Sequence, residues 1–213
     1  MKLKSRVFFF LLSLVILTSV VEASPRIVHK RSRARSFIEA QCKTTLYYDL
    51  CVRSLSYYLG NYTSTLSRQS LAQFALKVSL VKAHSTKAYV MRVTKALELE
   101  QLGKTSYYLQ VKECLDQIND GVKQLTNCIK ETQKIQENGE STDFRWRASN
   151  VMTWMSAAET DASTCINGIS GRAIGGKTKA TIKAKLVNLE QSTSIALALF
   201  NGFAARYKSS HVH

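Results

Sequence analysis

The apolar residues of this chain fall into four long stripes. Between Gly103 and Gly139, Val111, Leu115, Ile118, Val122, Leu125, Ile129 and Thr132 recur in alternating steps of four and three. Such steps return side chains to one face of a helix, whereas a strand would alternate with a period of two. After Gly139 the pattern continues through Phe144, Ala148, Val151, Met155, Ala158, Ala162, Cys165 and Ile169. A last stripe holds Ile182, Leu186, Leu189, Thr193, Ala196, Phe200, Phe203 and Tyr207. The first is looser. There Leu76, Leu80, Ala83, Val90 and Leu97 keep the frame while Lys87 and Thr94 interrupt it.

Glycines at 60, 103, 139, 171, 175 and 176 separate the stripes, and the only proline is Pro25, so nothing later in the chain breaks a helix on that ground. Short polar turns such as QENGES and SGRAIGGKT favour folding back over an extended coiled coil. The expected fold is therefore all-α: an up-down-up-down four-helix bundle over residues 67–207, with crossings near 20°. Residues 36–60 are expected as a helical hairpin ahead of it, and residues 208–213 as a tail.

The N-terminus reads differently. Lys2, Lys4 and Arg6 precede an apolar run from Val7 to Val21, and Ala23 closes a small-residue cleavage site. This is the layout of a secretory signal peptide over residues 1–23. The run is short of the roughly 20 apolar residues a bilayer span needs, so no stable membrane association is expected. Residues 24–35, with Arg26, Lys30, Arg31, Arg33 and Arg35, are expected as a flexible basic arm. The whole chain carries 30 Lys and Arg against 15 Asp and Glu. A secretory route sets nucleic acid aside as the partner of that charge and favours an acidic wall polymer, an acidic enzyme or an anionic surface. Asn61-Tyr62-Thr63 is a glycosylation sequon.

Five cysteines in a secreted chain test the bundle. Cys42 and Cys51 would lie about 13.5 Å apart on one straight helix, too far for a disulfide, so bonding requires a turn between them. Cys114 stands 25 residues before Gly139 and Cys165 stands 26 after it. Equal arms meet in an antiparallel hairpin, so Cys114 should face Cys165. Cys128 lies about 21 Å along the helix from Cys114 and misses that partner. It is expected as a free thiol that fills apolar space, in a monomer or weak dimer.

Chemistry of its own is not expected. The four histidines are His29, His84, His211 and His213, and no zinc-protease, thiol-redox, serine-hydrolase or phosphate-loop pattern occurs. Neither a catalytic residue, a metal site nor a cofactor is expected. The suggestive polar feature is Glu113, Asp116 and Asp120, along one side of a helix and off its apolar seam. Like charges at that spacing repel by a few tenths of a kcal/mol. Periodicity alone leaves open whether they form a solvated face, eased by Lys112 and Lys123, or a site.

Three segments carry a family resemblance. Cys42 and Cys51 bracket KTTLYYDL, Cys114 opens CLDQINDGVKQL, and Trp154 to Cys165 reads WMSAAETDASTC. In this order they resemble the plant invertase/pectin methylesterase inhibitor family over roughly residues 36–207. The resemblance implies cysteines paired first to second and third to fourth. It also implies one-to-one inhibition of an extracellular carbohydrate-active enzyme in the cell wall. Its contact positions map to Asp116 and Asp120 after the third cysteine and Thr164 before the fourth, with Glu113 beside them. The chain departs from the family pattern at Ile118, where an aromatic is common, and at Lys123 and Asn167, where acids occur. The invertase-directed branch is associated with a Pro-Lys-Phe motif, which a chain whose only proline is Pro25 lacks. SIALALF resembles a segment of the pectin-directed branch, with Ile195 in place of asparagine. The expected partner is pectin methylesterase, with invertase as the alternative target. A third reading is a basic wall protein that binds acidic pectin without inhibiting an enzyme.

Overall fold

A computed structural model describes residues 25–59, 66–100, 105–135, 141–169 and 176–210. The expected signal peptide, the Asn61 sequon and most of the glycine turns lie outside the described residues, as do residues 211–213. The chain divides into a unit ending at Ala34 and a unit from Arg35 onward. The second unit contains the site.

Six helices make up the described chain: α1 Pro25–Cys42, α2 Tyr48–Leu59, α3 Arg68–Leu99, α4 Ser106–Lys134, α5 Ser141–Gly168 and α6 Gly176–Ser210. Residues 25–35, expected as a flexible arm, instead form the start of α1. Proline is tolerated at a first helical position, and the Arg, Lys and Ala residues after it are good helix formers. At the other end α6 runs three residues beyond the expected boundary at 207.

Local chemistry fixes the ends. After Cys42 the chain turns, with the Thr44 and Thr45 hydroxyls each donating to the carbonyl three residues back, Gln41 and Cys42, at 2.8 Å. That turn brings Cys42 and Cys51 to a Cα separation of 5.7 Å, and they form a disulfide. Ser67 and Ser70 cap α3 reciprocally, the Ser70 N–H donating to the Ser67 hydroxyl oxygen at 3.0 Å and the Ser67 N–H to that of Ser70 at 2.8 Å. Thr105 caps α4 by accepting from the Tyr108 N–H at 3.2 Å.

The four long helices pack in a ring, α3 on α4, α4 on α5, α5 on α6, and α6 back on α3. The buried residues of all four, with Ile38, Cys42, Cys51 and Leu55 of the hairpin, form one continuous core. Between α4 and α5 the register is regular. Cys114 is bonded to Cys165, Gly121 lies against Ala158, and the Cys128 thiol donates to the Val151 carbonyl at 3.5 Å. Seven residues forward in one helix match seven back in the other, the spacing of an antiparallel heptad pair.

The seam between α3 and α6 departs from expectation. Ser79 and Thr86 are almost fully buried there, whereas Leu80 and Lys87, expected to hold the frame or interrupt it, are only half-buried. Ser79 Oγ donates to the Ser192 carbonyl of α6 at 2.8 Å, and Thr86 Oγ1 to the Lys82 carbonyl of its own helix at 2.8 Å. Thr94 is no interruption either: it is 6% exposed, and its hydroxyl bonds back to the Val90 carbonyl at 3.0 Å. A hydroxyl satisfied in this way can stand in a core stripe, where an unpaired one would be penalised. An apolar count therefore loses the frame in α3.

Candidate functional site

The acidic strip expected on sequence grounds lies on α4, on the side turned away from the core. Glu113, Asp116 and Asp120 are all exposed, and Leu109, one turn before Glu113, continues the line with 57% exposure. Thr164 is exposed on α5, its hydroxyl donating to the Thr160 carbonyl at 2.9 Å. The strip and Thr164 belong together because of the Cys114–Cys165 disulfide, which draws the two Cα atoms to 4.8 Å. Glu113 and Thr164 are the chain neighbours of those two cysteines and flank the crosslink on either helix. The expected pairing of all four cysteines is the one found.

Two features modify the strip. Lys123 donates to Asp120 Oδ1 at 2.9 Å. Both side chains are more than half exposed, so solvent screens the pair and a charged partner can displace it. Its lysine is held above the usual ammonium range by the Asp120 hydrogen bond and charge, with a smaller push from Asp116.

The second feature is a carboxylate that sequence reasoning missed. Asp161 of α5 is half-buried at the α4–α5 boundary. Burial raises its pKa, the Asp120 charge raises it further, and a hydrogen bond from Gln124 of α4 pulls the other way. Its Oδ2 has no hydrogen-bond partner, and neither have the carbonyl oxygens of Gln117, Asn119 and Gln124 on α4. Asp161 thus keeps an unpaired oxygen beside the Asp120 charge, whose own cationic partner is the exposed Lys123. A partner presenting Lys or Arg would supply a donor to that oxygen. Asp161 is four residues before Cys165, on the side of α5 that faces α4. That side became visible only once the α4–α5 register was known.

Further along the same helix pair, Glu131 is 5% exposed and holds Arg147 of α5 at 2.8 Å and Lys134 at 3.2 Å. Arg147 also bonds Asp143 at 2.7 Å. This bridge joins α4 to α5 at the end away from the disulfide and keeps the face rigid between two ties. The free cysteine, Cys128, is buried, as expected for an apolar filler, and burial pushes its pKa up to about 12. Among the described residues no group of His, Cys, Asp or Glu is placed to hold a metal ion. No described helix is long and apolar enough to cross a membrane.

The described chain is thus a disulfide-tied helical bundle with an exposed acidic strip on α4 beside the Cys114–Cys165 crosslink. Residues 36–199 match the family described as plant invertase/pectin methylesterase inhibitor, and the chain belongs to that family. It is 39% identical to pectinesterase inhibitor 9 of Arabidopsis thaliana over 206 residues, covering 97% of each chain. It is 40% identical to pectinesterase inhibitor 11 of the same plant, covering 94% of this chain and 96% of that one. A 21 kDa protein of Daucus carota is 34% identical over 98% of this chain and all of its own length. Among solved structures, a mutant form of a pectin methylesterase inhibitor from Arabidopsis superposes with a TM-score of 0.55 at 17% identity. That match covers 75% of this chain and 92% of the other and establishes the shared fold.

Proposed function

We propose that this chain is a secreted, non-catalytic inhibitor of pectin methylesterase. It binds the enzyme one-to-one through the α4–α5 face and covers its substrate cleft in the cell wall. The similarity to pectinesterase inhibitors over almost the full length supports the choice of target. The observation that carries the mode of action is the gathering of Glu113, Asp116, Asp120, Asp161 and Thr164 on two helices tied by a disulfide. Such a face loses little conformational entropy on docking, and its carboxylates seek cations. The leader-like residues 1–23 support the secretory route.

The test is a titration of the purified mature protein into pectin methylesterase, with invertase assayed in parallel. Methylesterase activity should fall linearly to an end point at one equivalent while invertase is unaffected. Replacing Asp116, Asp120 and Asp161 together by Asn should raise the inhibition constant about tenfold or more, with an unchanged helical signal. Loss of invertase activity with methylesterase untouched would reassign the target, and full potency in the triple variant would move the contact face elsewhere.

A further inference from the structure

The charge of this protein is not spread evenly round the bundle. α3 carries six Lys and Arg and the single carboxylate Glu98, and α6 carries six with the single carboxylate Glu190. Together α4 and α5 carry six cations against seven carboxylates. Since α3 and α6 are neighbours across the ring from the α4–α5 pair, the bundle has a cationic flank opposite its docking face.

That flank contains a groove of about 460 Å³ between α3 and α6, within the size range of small-ligand sites. Lys82, Lys177 and Lys185 line it, with Ser85, Thr181 and Asn188 between them. Lys177 and Lys185 are about 12 Å apart along the helix rise. Lys185 donates to Ser85 Oγ at 3.4 Å and stands 5.5 Å from the centre of the Tyr89 ring, with Arg92 over the same ring at 6.0 Å. None of the ion pairs among the described residues engages Lys82, Lys177 or Lys185. The groove thus offers spaced ammonium groups and a set of hydroxyl and amide hydrogen-bonding groups. It contains no carboxylate.

We infer that the α3–α6 groove binds a carboxylated oligosaccharide, the de-esterified pectin chain that a methylesterase leaves behind. Lysines set along a groove suit carboxylates repeated along a polymer, and the hydroxyl and amide groups between them suit sugar hydroxyls. The flank faces away from the α4–α5 strip, so polymer and enzyme can be held at once. The identity of the polyanion rests on the methylesterase reading, whereas the site itself does not.

The experiment uses the full mature chain and an oligogalacturonate of defined length at moderate salt, followed by calorimetry and amide chemical shifts. The same oligomer in fully methylated form and a polyphosphate of equal charge are the controls. Binding should shift α3 and α6 amides around Lys82 and Lys185, vanish for the methylated oligomer and weaken with salt. Replacing Lys82, Lys177 and Lys185 by Gln should lower affinity about tenfold. The equal charge change at Lys77, Lys95 and Lys183 should lower it less than about threefold, and neither set should alter methylesterase inhibition. Equal losses in the two triple variants, shifts confined to α4 and α5, or tighter binding of polyphosphate would each overturn the assignment. Because inhibition is read separately, a protein that binds oligogalacturonate without inhibiting keeps this site and loses the proposed function. The converse outcome does the reverse.

Discussion

Removing the Cys114–Cys165 bridge gives the most direct measure of what holds α4 against α5. The bond closes a loop of 51 residues, and the loop-closure relation gives about 4 kcal/mol for its effect on the unfolded chain. The same relation gives about 2.5 kcal/mol for Cys42–Cys51, which closes only nine. Cys114 and Cys165 are each 2% exposed, so alanine is the appropriate replacement, a buried serine hydroxyl adding a penalty of its own. The two missing sulfur atoms leave small voids as well. Cys128→Ala calibrates that contribution, since its thiol is equally buried and closes no loop. Urea unfolding of the three variants should therefore show Cys114→Ala/Cys165→Ala losing about 4 kcal/mol beyond twice the Cys128→Ala loss. For a chain of this size that is a fall in Tm of about 12 °C. A loss no greater than twice that of Cys128→Ala would refute the reasoning, and so would a larger loss from opening Cys42–Cys51. Inhibition by the bridge-free variant at low temperature should weaken while the far end of α4–α5, tied by Glu131 and Arg147, keeps its helical signal.

Other consequences rest on single residues. Asp161→Asn should stabilise the fold at neutral pH, because the native carboxyl is held above its ordinary range and its buried charge disfavours folding there. Through this group the unfolded chain binds fewer protons than the native one in that window, so the penalty from Asp161 shrinks as pH falls and the advantage of Asn disappears below the ordinary carboxylate range. Urea midpoints at about pH 7 and pH 3 check both signs. Cys128 should react with a thiol reagent at mildly alkaline pH only after denaturant is added, since burial keeps its thiolate scarce. A fast native reaction would contradict the burial. Gly121→Ala should raise stability by about 0.5–1 kcal/mol, measured by urea unfolding. Its added Cβ would meet Ala158 no closer than 3.8 Å, an ordinary contact, so a destabilised variant would mean that the helices pack more tightly than this.

Where apolar spacing and covalent constraint agree, the sequence was sufficient. Cys114 and Cys165 could be matched because they lie within one residue of the same distance from Gly139, and an antiparallel pair allows one partner. α3 was harder because part of its core stripe is Ser79, Thr86 and Thr94, hydroxyls whose partners are carbonyls. No hydropathy pattern distinguishes them from surface residues. The strip of Glu113, Asp116 and Asp120 was readable from one helix. Asp161 was not, since its interest comes from Asp120 and Gln124 on another helix. The segregation of charge was hidden for the same reason. Total charge is a property of the composition, but its division into flanks depends on which helices are neighbours.

The odd cysteine also bears on how the protein matures. A newly made chain in an oxidising compartment holds three thiols in its central region, and Cys128 competes with Cys114 for Cys165 until something separates them. The separation is supplied by the pairing of α4 with α5, which carries Cys128 to Val151, about four helical turns from Cys165. Helix docking therefore favours the Cys114–Cys165 bond over its rival. A chain that first joins Cys128 to Cys165 keeps a free Cys114, whose thiolate can attack that bond and release Cys128.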